Sequence, residues 1–144
     1  MMKIAVLRIR GVRKLHPRIK KTLELMRLER PNHCVLLEDS PQNRGMLLVV
    51  KDYVAYGPVD EETILGLLSK RGRKGPALLR SVLDEAALKK AAKDIFSGKK
   101  TMDYANPVFR LNPPSKGYKD IKRGYPKGEL GRRDDMGALL RRMM

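Results

Sequence analysis

Cysteine, acidic residues and long apolar runs are all scarce in this chain of 144 residues, and each shortage excludes a class of protein. The single cysteine, Cys34, rules out an internal disulfide framework and agrees with a reducing compartment. No run approaches the roughly 18 uncharged apolar residues that a membrane-spanning helix needs. The apolar run in MMKIAVLRIR is too short for a signal peptide. We therefore expect a soluble, cytoplasmic protein.

The shortage of acidic residues leaves a large excess of positive charge. Lysine and arginine number 32 against 16 aspartate and glutamate, which gives a formal net charge of +16 and a pI near 10.3. Such a field of one sign on a small body favours a polyanionic partner, either nucleic acid or an anionic membrane. Apolar residues make up 42% of the chain, enough for one domain, or for a small core with an extension.

Three patterns that suggest catalysis or metal binding do not meet the requirements of that chemistry. One cysteine and two histidines cannot supply four zinc ligands, so His33 and Cys34 are interpreted as strand residues. The stretch SGKKT lacks the glycine and hydroxyl positions of a phosphate-binding loop. The acidic pairs at 61–62 and 134–135 fall where a helix N-terminus favours negative charge. We predict no enzymatic activity, no metal and no cofactor.

The N-terminal half has the pattern of a compact core of strands and helices. Residues 3–9 alternate as in a strand with one solvent-facing side. An amphipathic helix is predicted to begin at Pro17, and residues 33–38 form a second, buried strand. A further strand over 53–56 is predicted to end at the Gly-Pro pair that follows it.

Residues 39–51 fit two structures. Ser40 and Pro41 match a helix start, with the serine as N-cap and the proline in the first turn. Against a helix, Gly45 costs about 1 kcal/mol in a helix interior, and the β-branched residues that follow favour a strand. Local propensity alone favours the strand.

The C-terminal half is predicted to contain helices joined by basic segments. Helices are expected at about 60–71 and 84–97, capped by Asp60 and Asp84. A short strand is indicated at 108–111 and a short terminal helix at 135–143. Residues 115–133 are basic and punctuated by glycine, so they have little to bury.

The stretch SKRGRKGP, residues 69–76, is the first of three basic clusters that could bind phosphate. No acidic residue lies between Glu62 and Asp84 to neutralise it. Its glycines let the backbone approach a phosphate closely, while Arg71 and Arg73 offer forked donors. This cluster is predicted to contact nucleic acid.

The other two clusters lie near the chain ends. Within 115–133, cations alternate on a glycine-punctuated backbone and tyrosines can stack on exposed bases; the candidate RNA-binding residues there are Lys116, Tyr118, Lys119, Lys122, Arg123, Lys127, Arg132 and Arg133. The third cluster consists of Arg8, Arg10, Arg13, Lys14 and Arg18. If about eight cations meet phosphates, the logarithm of affinity should fall with that of salt with a slope of about −7.

Longer blocks of sequence resemble one known family. PNHCVLLEDSPQNRGMLLVVKDYVAYGPVDEETI and RLNPPSKGYKDIKRGYPKGELGRRDD closely resemble the archaeal branch of the large-subunit ribosomal protein family numbered thirty in bacteria and archaea and seven in eukaryotes. The resemblance covers nearly the whole chain and is weakest over 79–107. Its most specific pieces are Asn32-His33-Cys34, Arg44-Gly45-Met46, Val54-Ala55-Tyr56-Gly57 and Arg110-Leu111 with Pro113-Pro114.

The resemblance implies a mixed α/β (α+β) fold. Its core is ferredoxin-like, β-α-β-α-β with a three-stranded sheet, over residues 1–57. Residues 58–144 would be an extension of the archaeal and eukaryotic type, with helices and a basic irregular segment. The resemblance also implies a helix from Pro41 to about Val50, against the local propensity.

The resemblance further implies a structural, non-enzymatic constituent of the large ribosomal subunit. Its partners would be 23S-type large-subunit RNA and neighbouring large-subunit proteins, with no membrane, small-molecule substrate or cofactor. The implied RNA-binding residues outside the tail are Arg44, Gly45, Lys70, Arg71, Arg73, Lys74 and Arg110. An RNA-binding or chaperone module outside the ribosome is the alternative, and an enzyme acting on RNA is a remote third.

Overall fold

The computed structural model describes residues 3–9, 16–38, 40–51, 53–82, 84–97, 106, 108–112, 114–115, 130–133 and 136–143. In chain order, its elements are β1 (Lys3–Arg8), α1 (Pro17–Leu25), β2 (His33–Glu38), α2 (Pro41–Val50), β3 (Val54–Val59), α3 (Glu61–Arg71), β4 (Arg73–Lys74), β5 (Ala77–Leu78), α4 (Leu79–Val82), α5 (Glu85–Phe96), β6 (Val108–Arg110), β7 (Gly131–Arg132) and α6 (Met136–Met143).

A five-stranded mixed sheet in the order β6-β2-β1-β3-β7 forms the centre of the fold. The central strand β1 pairs antiparallel with β2 and with β3, so that Val6 lies opposite Val35 on one side and Tyr56 on the other. At the edges, β6 pairs antiparallel with β2 and β7 pairs parallel with β3. The predicted three-stranded core is confirmed, and two short strands from the C-terminal half widen it.

Helices cover both faces of this sheet. On one face, Ile4 and Val6 of β1 pack with Leu47 and Val50 of α2, and with residues of α1. On the other face, alternate strand residues pack against α3, α5 and α6; this second cluster includes Ala5, Leu7, Cys34, Ala55, Ile64, Leu67, Ile95 and Leu140. The C-terminal helices therefore complete the core of the sheet. The proposed division at residue 57 stays a prediction, and β3 runs across that position.

The prediction that β1 has a solvent-facing side is wrong. All six of its residues are buried, including Lys3 and Arg8, each 2% exposed. The reason is its central place in the sheet, where helices cover both faces and neither side is left for water. The ammonium Nζ of Lys3 lies 3.7 Å from Oε1 of Glu38.

β3 does not end at Gly57, as the turn signal predicted, but continues to Val59. Glycine is needed at 57 because a side chain there would collide with the carbonyl of Arg133, which crosses close to the strand. Proline at 58 costs no hydrogen bond to β1. Backbone groups of residues 56 and 58 face the same side of β3, and the carbonyl of Tyr56 accepts the N–H of Arg133 on the side away from β1. Tertiary contacts thus override the local turn signal.

α2 is a helix, as the family resemblance implied and local propensity did not. Its first turn is fixed by Ser40, whose hydroxyl accepts the N–H of Asn43 at 3.2 Å, while the Asn43 amide donates to the carbonyl of Glu38 at 2.8 Å. The predicted N-caps Asp60 and Asp84 are confirmed, accepting backbone N–H groups at 2.9 and 2.8 Å. The strand predicted at 108–111 is present as β6 (Val108–Arg110), and the terminal helix predicted at 135–143 is present as α6 (Met136–Met143).

Candidate nucleic-acid interface

The basic stretch at 69–76 spans the end of α3 and a β-hairpin. Lys70 and Arg71 lie in the last turn of α3, where positive charge also suits the helix dipole. Arg73 then pairs with Leu78, and Lys74 pairs with Ala77. We call residues 70–78 the basic hairpin. Its turn places Gly75, with a φ of 62°, at the first central position, where a two-residue hairpin turn of type II′ takes glycine.

The basic hairpin is fixed by hydrogen bonds from another part of the chain. The backbone N–H of Asn106 donates to the carbonyl of Arg73 at 2.7 Å. The Asn106 side chain donates to the Gly75 carbonyl at 3.1 Å and accepts the Gly75 N–H at 3.3 Å. At the base, the N–H of the buried Leu79 donates to the carbonyl of Gly72 at 2.9 Å. Hydrogen bonds to Asn106 and within its base therefore fix the backbone of the basic hairpin, so that it is not a flexible loop.

Side chains of the basic hairpin differ in their exposure. Lys70, Arg73 and Lys74 are exposed, whereas Arg71 is half-buried with its Nε atom out of reach of water. The sequence suggested that the glycines of this stretch let a phosphate approach the backbone, but Gly72 has a different role. A side chain at this buried position would collide with the Leu68 carbonyl, so glycine is required there by packing.

Two predicted contacts that are distant in the sequence, Arg44 and Arg132, border one cleft of about 330 Å³. The sheet brings Arg132 beside Tyr56 in register, and Pro58 beside Ile4. α2 forms the facing wall with Arg44. We call this site the α2–β7 cleft; its lining residues are Ile4, Arg44, Leu47, Leu48, Tyr56, Gly57, Pro58 and Arg132.

A third basic surface lies at the β6 edge of the sheet. Arg110 is exposed and pairs in register with His33 of β2. Partial burial, followed by the positive charges of Arg110 and Arg30, lowers the pKa of His33 below its ordinary value. His33 is therefore neutral near pH 7, and the positive charge of this edge comes from the two arginines.

Two predicted contacts lie inside the protein. Arg8 is 2% exposed and Arg133 is 4% exposed. The Nη1 atom of Arg8 donates to the carbonyl of Leu28 at 2.7 Å, and burial lowers the pKa of this guanidinium. The backbone N–H of Arg133 donates to the carbonyl of Tyr56 at 2.9 Å, which attaches the chain after β7 to β3. Both arginines are therefore largely withdrawn from the surface at which RNA would be bound.

Of the remaining candidates, Gly45 is described by the structure and the others are not. Gly45 is exposed on α2 and has open space where a Cβ would lie. The candidates outside the described residues are Arg10, Arg13, Lys14, Lys116, Tyr118, Lys119, Lys122, Arg123 and Lys127. Within the part of the chain that the structure describes, there is no cluster of three or more potential metal ligands, and no helix is both long and apolar enough to span a membrane.

Comparison with known proteins points to one family. A family model described as Ribosomal protein L30p/L7e matches residues 4–54. The large ribosomal subunit protein uL30 of Archaeoglobus fulgidus is 46% identical over an alignment that covers 88% of this chain and 90% of that protein. The chain belongs to the uL30 family. Two other uL30 proteins, of Methanothrix thermoacetophila and Methanococcus maripaludis, are 36% and 39% identical over 96% and 99% of this chain and 98% and 100% of their own lengths.

Membership of the uL30 family confirms the resemblance found in the sequence, including its archaeal character. These uL30 proteins are named as proteins of the large ribosomal subunit and not as enzymes, which supports the prediction of a non-enzymatic protein. Two features of the site were not predicted: Asn106 as the residue that fixes the basic hairpin, and Leu48 at the α2–β7 cleft. No sequence signal marks either residue, because each acts through neighbours from distant parts of the chain.

Proposed function

We propose that this uL30 family member is a structural constituent of the large ribosomal subunit in the cytoplasm, where it binds and stabilises folded large-subunit RNA. One observation carries the proposal: Arg73 and Lys74 project from a hairpin whose backbone Asn106 holds in place. The α2–β7 cleft and the β6 edge supply further cations. Its partners are large-subunit RNA and neighbouring large-subunit proteins.

A held hairpin suits a structural role in RNA binding. Cations on an ordered backbone lose less conformational freedom on binding than cations on a flexible loop. Phosphate contacts fix the position and orientation of a protein on nucleic acid, but they do not read the sequence. Folded RNA is recognised chiefly by its shape and its phosphates. The basic hairpin therefore binds a particular arrangement of phosphates rather than a base sequence.

A charge reversal at the hairpin tests the proposal. The double variant Arg73→Glu with Lys74→Glu changes only exposed side chains, so the fold and thermal unfolding should stay unchanged. Arg71 is left intact because it is half-buried. The matched control is Lys90→Glu with Lys93→Glu, two exposed lysines of α5. We expect less of the hairpin variant in large subunits washed with high salt, and normal amounts of the control.

Two readouts decide the outcome. If both double variants enter washed subunits like the unaltered protein, the basic hairpin is not an RNA contact. In binding to purified large-subunit RNA, the hairpin variant should flatten the slope of log affinity against log salt by about 2, since about 0.9 is lost per phosphate contact. If the unaltered protein leaves the subunits in the high-salt wash yet binds free RNA, the RNA-binding module outside the ribosome is the better description.

A further inference from the structure

The α2–β7 cleft combines an apolar floor with cations at its border. Ile4, Tyr56 and Pro58 come from neighbouring strands and lie on the face of the sheet that α2 covers. Leu47 and Leu48 of α2 form the wall. The cleft exists because β7 widens the sheet beyond β3, while α2 packs over β1 and β3.

Leu48 borders this cleft and is 63% exposed. Among the described residues, the other large apolar side chain exposed to this extent is Leu25 of α1, at 66%, and it does not line the cleft. A single exposed leucine needs no special explanation. An exposed leucine at the border of an open apolar cleft adds to the surface that an occupant would cover.

Charge identifies the kind of occupant. The described lining residues include two arginines, Arg44 and Arg132, and no carboxylate. This lining suits an occupant that presents an apolar surface to the floor and negative charge to the border. A nucleotide does both, because a base has apolar faces that stack on aromatic and apolar side chains while its phosphates bind guanidinium groups.

The base must be unpaired to enter. In an RNA duplex, the bases are stacked and paired, and the grooves offer mainly hydroxyls, phosphates and base edges. Bases in bulges and loops can turn outward and place a face against a protein. The cleft therefore suits one nucleotide outside a duplex rather than a helical stem.

We propose that the α2–β7 cleft holds one unpaired nucleotide of the bound RNA. The base packs against Leu48, Tyr56 and Pro58, and the phosphates on its two sides lie at Arg44 and Arg132. This inference rests on the proposed function, since it assigns a single-nucleotide subsite to the same RNA-binding protein. It adds recognition of a local RNA feature to a surface that otherwise reads phosphate positions.

The test compares two fluorescent RNA hairpins with identical stems, one fully paired and one with a single bulged nucleotide. The unaltered chain should bind the bulged RNA about tenfold more tightly, the effect of stacking one base at about 1 to 3 kcal/mol per base. Leu48→Glu should abolish this preference. Leu25→Glu is the matched control, because it adds the same charge at an equally exposed leucine away from the cleft. The ratio of the two affinities cancels the general effect of the added charge.

The remaining outcomes separate the cleft from the wider function. If the unaltered chain binds both RNAs but Leu48→Glu keeps its preference, or Leu25→Glu loses it, the nucleotide subsite is refuted while RNA binding stands. If Leu48→Glu keeps the preference but fails to enter large subunits, a neighbouring protein covers the cleft, which also refutes the subsite. If the unaltered chain shows no salt-sensitive binding to purified large-subunit RNA, the proposed function itself fails, and the subsite with it.

Discussion

The side-chain amide of Asn106 makes two hydrogen bonds with the backbone of Gly75, donating to its carbonyl at 3.1 Å and accepting its N–H at 3.3 Å. Asn106 lies 31 residues after Gly75 in the sequence. It belongs to the segment that leads into β6, so this contact ties the tip of the basic hairpin to the edge of the central sheet. The position of the exposed cations therefore depends on an uncharged residue far from them in the chain.

Replacing Asn106 with alanine should loosen the hairpin without unfolding the protein. The lost bonds are exposed, so we expect a loss of only about 1 kcal/mol in the free energy of unfolding. The amide of Gly75 should exchange hydrogen faster, and affinity for large-subunit RNA should fall several-fold because the cations are no longer held. The control is Asn112→Ala, another exposed asparagine. Unchanged exchange at Gly75 would show that the Asn106 side chain does not hold the turn.

Arg8 should act on stability rather than on RNA binding. Its buried guanidinium bonds the carbonyl of Leu28 at 2.7 Å, so Arg8→Met leaves that carbonyl without this donor. We expect the free energy of unfolding, measured by denaturant titration, to fall by about 2 kcal/mol. Arg18→Met, on the exposed side of α1, is the control and should have little effect on stability. If Arg8→Met is as stable as the unaltered protein but binds RNA more weakly, Arg8 is an RNA contact after all.

Two glycines should respond to alanine in opposite directions. At Gly57, a Cβ would collide with the Arg133 carbonyl and crowd Met136, so Gly57→Ala should destabilise the protein by about 1 to 3 kcal/mol. At Gly45 there is open space on an exposed face of α2, so Gly45→Ala should stabilise by about 0.5 to 1 kcal/mol. Thermal unfolding should show a lower melting temperature for Gly57→Ala and a higher one for Gly45→Ala than for the unaltered protein.

Gly45 also tests an implication of the family resemblance. If RNA approaches this backbone closely, Gly45→Ala should weaken RNA binding while it raises stability. Equal binding by the stabilised variant would mean that glycine at this position is not required for contact with RNA.

Cys34 should make stability depend on pH in alkaline solution. Burial raises the pKa of its thiol to about 12, against an ordinary value of 9.0. The unfolded state therefore loses this proton first, and the contribution to stability that is present below pH 9 is lost as the pH rises towards 12. Cys34→Ala lacks this titration. The difference in unfolding free energy between the unaltered protein and the variant should shrink over that range, and a constant difference would contradict the burial argument.

Local sequence signals predicted those elements whose ends are set by residues close in the sequence. Proline in the first turn marks α1 and α2. A serine or aspartate N-cap marks α2, α3 and α5, and these three caps are formed in the structure. For α2, these signals competed with β-branched residues and Gly45, and the family resemblance was needed to choose the helix. The start of a helix is local chemistry, whereas propensity inside it is weak against packing.

Other features depend on contacts that a local pattern cannot contain. The extent of β3 beyond Gly57 follows from Arg133. The burial of β1 follows from α1 and α2 on one face and from α3, α5 and α6 on the other. β4 and β5 have two residues each, too few for a recognisable alternation. The α2–β7 cleft draws on strands and a helix from both halves of the sequence. Its arginines were predicted as contacts, but their common site was not.

The order of elements along the chain sets the order in which this protein can acquire its core during synthesis. β1, β2 and β3 can pair, with α1 and α2 covering one face, as soon as they have left the translating ribosome. The opposite face, with Leu7 and Ala55, receives α6 only when residues 136–143 have been made. Until then a nascent chain exposes apolar strand surface, the kind of intermediate that aggregates or recruits chaperones. A stop codon before α6 should therefore yield insoluble protein rather than a shorter functional one.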